Sequence, residues 1–129
     1  MNITRWIKAA KAEAYKSKIS EWSIGAVIVK GSKVVGRGYN KTSSDVERFR
    51  MKYGFSPEQL WSLHAEMAAL MDADEDLEGA VLFVSGFKSK NGNKICCKPC
   101  KACRRVLRHS RIEKVFYTDR DGIHMMETG

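Results

Sequence analysis

The sequence predicts an α/β fold in which a mixed sheet is covered by helices, and three observations predict it. Helical and strand-like patterns follow one another in the order α-β-β-α-β-α-β. The first two strands are separated only by the tight turn Gly31-Ser32, which makes them an antiparallel hairpin. The last three elements form a strand–helix–strand unit, whose crossover connection lays its strands parallel and its helix on a sheet face.

Each element has its own signal. Residues 3–18 read as a helix, because Ile3, Ile7, Ala10 and Ala14 recur at helical spacing while Lys and Glu fill the other side. Ser23 to Lys30 is a β-branched apolar run and hence a strand, and Lys33 to Tyr39 pairs back on it. Asn40 to Tyr53 is polar and irregular, with room for one helical turn. Ser56-Pro57 is a helix-start signal, a capping serine before a proline at the first helical position. A helix with a break is expected from there toward Met71, ahead of the acidic run Asp72 to Glu78 and Gly79. Ala80 to Ser85 is a buried-type strand. Gly86 to Lys98 is a polar loop in which Asn91-Gly92 signals a turn or small hairpin. Cys100 to Arg108 reads as a helix and Glu113 to Thr118 as a strand, followed by a turn over Asp119 to Gly122 and a short tail.

A chain of 129 residues suffices for one hydrophobic core, and residues 1–129 read as a single domain. Its hydrophobic fraction of 43% and charged fraction of 29% are those of a soluble globular protein. No apolar run approaches the roughly 18 residues of a membrane span. Lys8, Lys11 and Glu13 interrupt the apolar residues of Met1 to Ile19, which a signal peptide does not tolerate. A cytoplasmic protein with no membrane partner is expected. The net charge of +8 is concentrated in one stretch, from Lys88 to Lys114, where Glu113 is the only acid. Such a stretch is either a solvated face or an attractor of phosphates, from a single nucleotide to a polymer.

All four cysteines, Cys96, Cys97, Cys100 and Cys103, fall within eight residues. A disulfide framework spreads its cysteines to close loops, so this cluster points to a metal or redox role. Two short motifs concentrate the chemistry: His64-Ala65-Glu66, and Pro99-Cys100-Lys101-Ala102-Cys103. A catalytic zinc takes three protein ligands and leaves its fourth position to water, whose pKa falls to about 7 there. One imidazole and two thiolates, His64, Cys100 and Cys103, supply such a ligand set and balance the charge of the ion. In the zinc deaminases of nucleobases, whose signature these two motifs resemble, attack of that water on a ring carbon bearing an amino group requires a proton for the ring nitrogen and another for the departing ammonia. Glu66 is placed to carry both. Cys100 and Cys103, three residues apart, share one helix face, and a helix N-terminus there favours thiolates. His64 and Glu66, two apart, reach one metal only from the first turn of a helix. Cys97, Cys100 and Cys103 also resemble part of an iron–sulfur run, but only the adjacent Cys96 is left to complete it. Cys96 and Cys97 are accordingly read as non-ligands near the site.

The pairing of H-x-E with P-C-x-x-C resembles the signature of zinc deaminases acting on nucleobases. The resemblance to the cytidine and deoxycytidylate deaminase superfamily extends over most of the chain. Gly25 to Val29 and Gly38-Tyr39-Asn40 look like the first two strands and the following loop of that family. Lys114 to Thr118 with Asp121-Gly122 is similar to the fourth strand of small deoxycytidylate-type members, including those of bacterial viruses. The resemblance implies a three-layer αβα sandwich with a mixed central sheet, a bound Zn2+ and assembly into a homo-oligomer. It also implies that Asn40 hydrogen-bonds the sugar, that the backbone around Ala65 meets the base, and that Tyr117 lines the pocket. On its own pattern, Tyr117 is equally a core tyrosine in a strand. The sequence departs from the family in the long Gly86 to Lys98 loop, which would border the site. It also lacks the Gly-rich pattern after Asn40 that goes with nucleotide triphosphate regulation.

Hydrolytic deamination of a free cytosine nucleotide, dCMP to dUMP, is the function these residues imply, with a small-molecule nucleotide as the partner. Two alternatives stand beside it. One is a deaminase of cytosine or adenine within RNA or single-stranded DNA, for which Phe87 is the evident stacking residue in the basic loop. The other is a non-catalytic zinc module, in which Glu66 would have no task.

Overall fold

The computed structural model describes residues 1–42 and 44–129. Its elements are α1 (Ile3–Ala14), β1 (Trp22–Lys30), β2 (Lys33–Tyr39), α2 (Ser44–Tyr53), α3 (Ala65–Asp72), β3 (Val81–Lys88), α4 (Lys101–His109), β4 (Lys114–Thr118) and β5 (Ile123–Glu127). The strands form one mixed sheet in the order β2-β1-β3-β4-β5. β1 runs antiparallel to β2 and β3, β3 and β4 are parallel across the α4 crossover, and β5 returns antiparallel to β4.

Alternation along β1 and β3 builds the three layers, because successive side chains of a strand point to opposite faces. Val27, Val29, Val81 and Phe83 face α1, where Trp6, Ile7 and Ala10 cover them. Ala26, Ile28, Leu82 and Val84 face the other way, against Ala65 and Ala69 of α3 and Leu107 of α4. A further apolar cluster joins Val46 and Phe49 of α2 to Met67, Ala68, Cys103 and Val106. The αβα sandwich with a mixed sheet is therefore present. Glycine allows α3 to lie this close to β2, since a Cβ on Gly38 would sit 2.6 Å from the Ala65 carbonyl oxygen and closer still to the Ala69 amide.

Several boundaries differ from the sequence pattern. The first helix ends at Ala14, not Lys18. Ser17 leaves the helix to donate its hydroxyl to the Asn40 carbonyl at 2.8 Å. The segment read as irregular contains the ten-residue helix α2, held inward by Val46 and Phe49 and outward by the pairs Arg48–Asp45 (2.7 Å) and Arg50–Glu47 (3.1 Å). Ser43, in the same segment, lies outside the described residues. Ser56 does cap a turn, with its hydroxyl accepting from Gln59 N–H at 3.3 Å and the Gln59 side chain accepting from Ser56 N–H at 2.8 Å. The turn does not propagate, however, and a regular helix begins only at Ala65. β3 continues to Lys88, and the expected loop folds back as a small hairpin in which Lys88 N–H donates to Asn93 O at 2.8 Å. β5 replaces the short tail.

Candidate active site

Two helix N-termini meet at the C-terminal side of the sheet's centre. Leu63 exchanges backbone hydrogen bonds with Lys41 (3.0 and 2.8 Å), which keeps the chain extended up to His64. His64 is the N-cap of α3, at φ −71° and ψ 155°, and its ring makes no capping bond. The ring is thus available to reach toward α4. Cys100 is the N-cap of α4, and its sulfur accepts from the Cys103 amide at 3.4 Å. Cys103 lies one turn further in and is fully buried. The partial positive charge of both helix ends favours anions at this junction.

His64 Nδ1 lies 3.2 Å from Cys103 Sγ and 3.7 Å from Cys100 Sγ. Among the described residues these three form the one group of His, Cys, Asp or Glu side chains that could hold a metal, with donor atoms all within 4.8 Å of one another. Tetrahedral zinc with its usual bond lengths needs donor separations of about 3.5–3.8 Å, so small side-chain adjustments suffice. Cys100 is the more acidic of the two thiols, because the Cys103 thiol and amide and the His64 ring all stabilise its thiolate. That hydrogen bond to Cys100, together with burial, raises the pKa of Cys103. His64 is raised above its ordinary value chiefly by its hydrogen bond to Cys100, against the opposing effect of burial. To hold a divalent cation, His64, Cys100 and Cys103 would each have to bind deprotonated.

Glu66 is 6% exposed and stands in the first turn of α3. Burial raises its carboxyl pKa, while the His64 ring and the backbone amide of Glu66 oppose the shift. A carboxyl so placed keeps its proton to higher pH than a solvent-exposed glutamate does. The pocket in front of it has a volume of about 190 Å³. His64, Ala65, Cys100 and Asn40 line it with Glu66. Asn40 is buried and firmly held: its carbonyl oxygen accepts from Ile24 N–H and its amide donates to Trp22 O, both at 2.9 Å. One lone pair and one N–H of that amide remain. Tyr117 does not line the pocket. It lies on β4, half-buried against the core, with its ring 5.5 Å from that of His124.

Cys96 and Cys97 both line the pocket, but neither joins the three donors. Cys97 is buried, and that burial pushes its thiol up to about 12. Phe87 is buried as well, against Tyr15 at 4.7 Å, which removes it as a stacking platform. The pocket's aromatic residues are instead Trp22 and Trp61, 46% and 57% exposed, and its cation is Lys98. The sequence marked Lys98 only as one member of the basic stretch, and it singled out neither tryptophan. Lys98 and Trp61 stand close in sequence to the two motifs, whereas nothing local marks Trp22, which β-pairing carries to the site. Larger hollows elsewhere on the surface are lined by no cysteine, and the buried carboxyl in one of them, Glu13, is paired with Lys16 at 2.8 Å.

A family model described as the cytidine and deoxycytidylate deaminase zinc-binding region matches residues 1–119. A deoxycytidylate deaminase of Mycobacterium phage D29 is 31% identical over 122 residues, covering 84% of this chain and 87% of the phage protein. Among solved structures, the cyanophage S-TIM5 dCMP deaminase superposes with a TM-score of 0.65 at 24% identity, covering 89% of this chain and 80% of its own. Cytidine deaminase from Burkholderia pseudomallei gives 0.67 at 22%, covering 100% and 94%. These two likenesses establish the fold, and the family match runs through both metal-site motifs. The chain belongs to the cytidine and deoxycytidylate deaminase family of zinc-binding enzymes.

Proposed function

We propose that this protein hydrolyses dCMP to dUMP and ammonia. The observation that carries the proposal is the buried Glu66 carboxyl beside the convergent His64, Cys100 and Cys103 donors, in a pocket the size of a base. Zinc held by those three side chains supplies an activated water. Glu66 removes a proton from the nucleophile and delivers it to the ring nitrogen beside the reacting carbon. It then delivers the second proton to the amino group, which leaves as ammonia while a carbonyl forms in its place. The backbone at Ala65 meets the base, and the remaining hydrogen-bonding capacity of Asn40 serves the sugar. The phage relative named a deoxycytidylate deaminase supports the choice of nucleotide, as does the cyanophage enzyme, whose structure has been solved in complex with dCMP and dUMP.

Trp22 and Trp61 give some weight to a second reading, deamination within a single strand, because exposed indoles at a site mouth can stack bases. Ammonia release from dCMP, CMP, deoxycytidine, cytidine and a cytosine-containing single strand decides between them. The proposal expects dCMP to have the highest kcat/KM. Turnover confined to the strand would replace it with the second reading.

A further inference from the structure

Lys98 is the one lysine or arginine among the described residues that line the pocket beside Glu66. Its side chain is exposed and forms no ion pair or hydrogen bond with any described residue. Its backbone is fixed on both sides. The Cys97 amide donates to Thr118 O at 2.8 Å, and Pro99 follows, which confines Lys98 to extended conformations. A fixed backbone with an uncommitted ammonium is a cation already brought to the site. The other cations nearby are placed differently. Lys16 is tied to Glu13 (2.8 Å) and Lys41 to Asp45 (3.7 Å). Both line, with Lys18, a separate hollow that shares only Trp61 with the pocket.

Size adds a second constraint. Pockets that enclose drug-sized ligands run to about 300–1,000 Å³. A pocket of about 190 Å³ falls below that range, so a nucleotide seated by its base would leave its phosphate end at the mouth. There the exposed residues include two indoles, Trp22 and Trp61, which are uncharged, and the Lys98 ammonium. A phosphate carries nearly two negative charges near pH 7, whereas a nucleoside carries none. Among the described residues that line the pocket, Lys98 is the one lysine or arginine that could tell the two apart.

We propose that Lys98 reads the phosphate: its ammonium pairs with the 5′-phosphate of the substrate and makes the site select a cytosine nucleotide over the corresponding nucleoside. The assignment rests on the reading of this pocket as a cytosine-nucleotide site. It is tested by the ratio of kcat/KM for dCMP to that for deoxycytidine. Lys98→Ala should lower that ratio about tenfold, the worth of one charge-assisted hydrogen bond discounted for exposure. Lys98→Arg should restore most of it. Added salt should lower the wild-type ratio but leave that of Lys98→Ala unchanged. An unchanged ratio in Lys98→Ala, or a comparable fall in Lys18→Ala, would overturn the assignment. Binding keeps the test independent of turnover: zinc-loaded protein is titrated with dUMP and with deoxyuridine, followed by the fluorescence of Trp22 and Trp61. A preference for dUMP that disappears in Lys98→Ala upholds Lys98 even where no substrate is turned over, and in that case only the proposed reaction falls. Equal affinity of the wild type for both ligands sinks the assignment.

Discussion

Glu66 sits where a carboxylate is costly to keep charged, and the same burial suits it to the proton transfer proposed for it. Glu66→Gln preserves shape and hydrogen bonds but cannot exchange protons. Turnover should fall by about 10²–10⁴-fold, while zinc analysis still finds the wild-type metal content. Loss of zinc together with activity would assign Glu66 to the metal instead. The cysteines should separate by chemistry. With zinc bound, iodoacetamide at mildly alkaline pH should label the exposed Cys96 and spare Cys97, whose buried thiol stays protonated up to about 12; peptide mass spectrometry reads the outcome. The sign for stability follows from the raised value. The contribution of Cys97 is complete below its unfolded pKa, near the usual thiol range, and is lost as pH rises from there through about 12. His64 acts in the opposite direction on metal binding. Its pKa is raised by the hydrogen bond to Cys100 and its imidazole must be deprotonated to bind, so zinc affinity should weaken as the pH falls and the ring takes up a proton.

At the scale of elements, the site depends on how closely α3 lies on β2. Gly38→Ala would drive a methyl group into the Ala65 carbonyl and the Ala69 amide and lift the helix that carries His64 and Glu66. The expected result is overpacking of about 1–3 kcal/mol in denaturant unfolding, with weakened zinc retention. Wild-type zinc affinity in that variant would show that the helix position is not critical. The elements also show what the sequence made legible. β1, β2, β3 and α4 announce themselves through apolar runs and the cysteine spacing, and the metal-site motifs are contiguous in the chain. α2 was hidden because only Val46 and Phe49 of its ten residues are buried, too few to set a period against so much charge. The Ser56 cap pointed to a helix that a tertiary contact prevents, since pairing of Leu63 with Lys41 draws the chain into an extended form. That same pairing aims His64, so a departure from local propensity helps to build the site. β5 has a mostly exposed strand with weak alternation, and its evidence lies in pairing with β4. Trp22 reaches the pocket through sheet register, which one strand's sequence does not encode.

Over the whole molecule, the candidate metal site and the core are coupled, because Cys103 belongs to the apolar cluster that joins α2, α3 and α4. Removing zinc with a chelator should lower Tm by on the order of 10 °C at zinc concentrations about a hundredfold above Kd, as measured by calorimetry. An unchanged Tm would mean that the cluster stands without the ion. Among the described residues no helix is long and apolar enough to cross a membrane. The basic surface, with its net charge of +8, suits an anionic substrate and raises the local concentration of phosphate-bearing molecules. In the proposed reaction, one buried carboxyl beside three side chains fit to bind a metal converts dCMP to dUMP. The most direct test follows dCMP and dUMP by chromatography with zinc-loaded wild type and zinc-loaded Glu66→Gln side by side. dUMP and ammonia appearing in equal amounts with the wild type, and neither with the variant, is the predicted result. Undiminished conversion by Glu66→Gln, or an inert wild type with zinc in place, would contradict it.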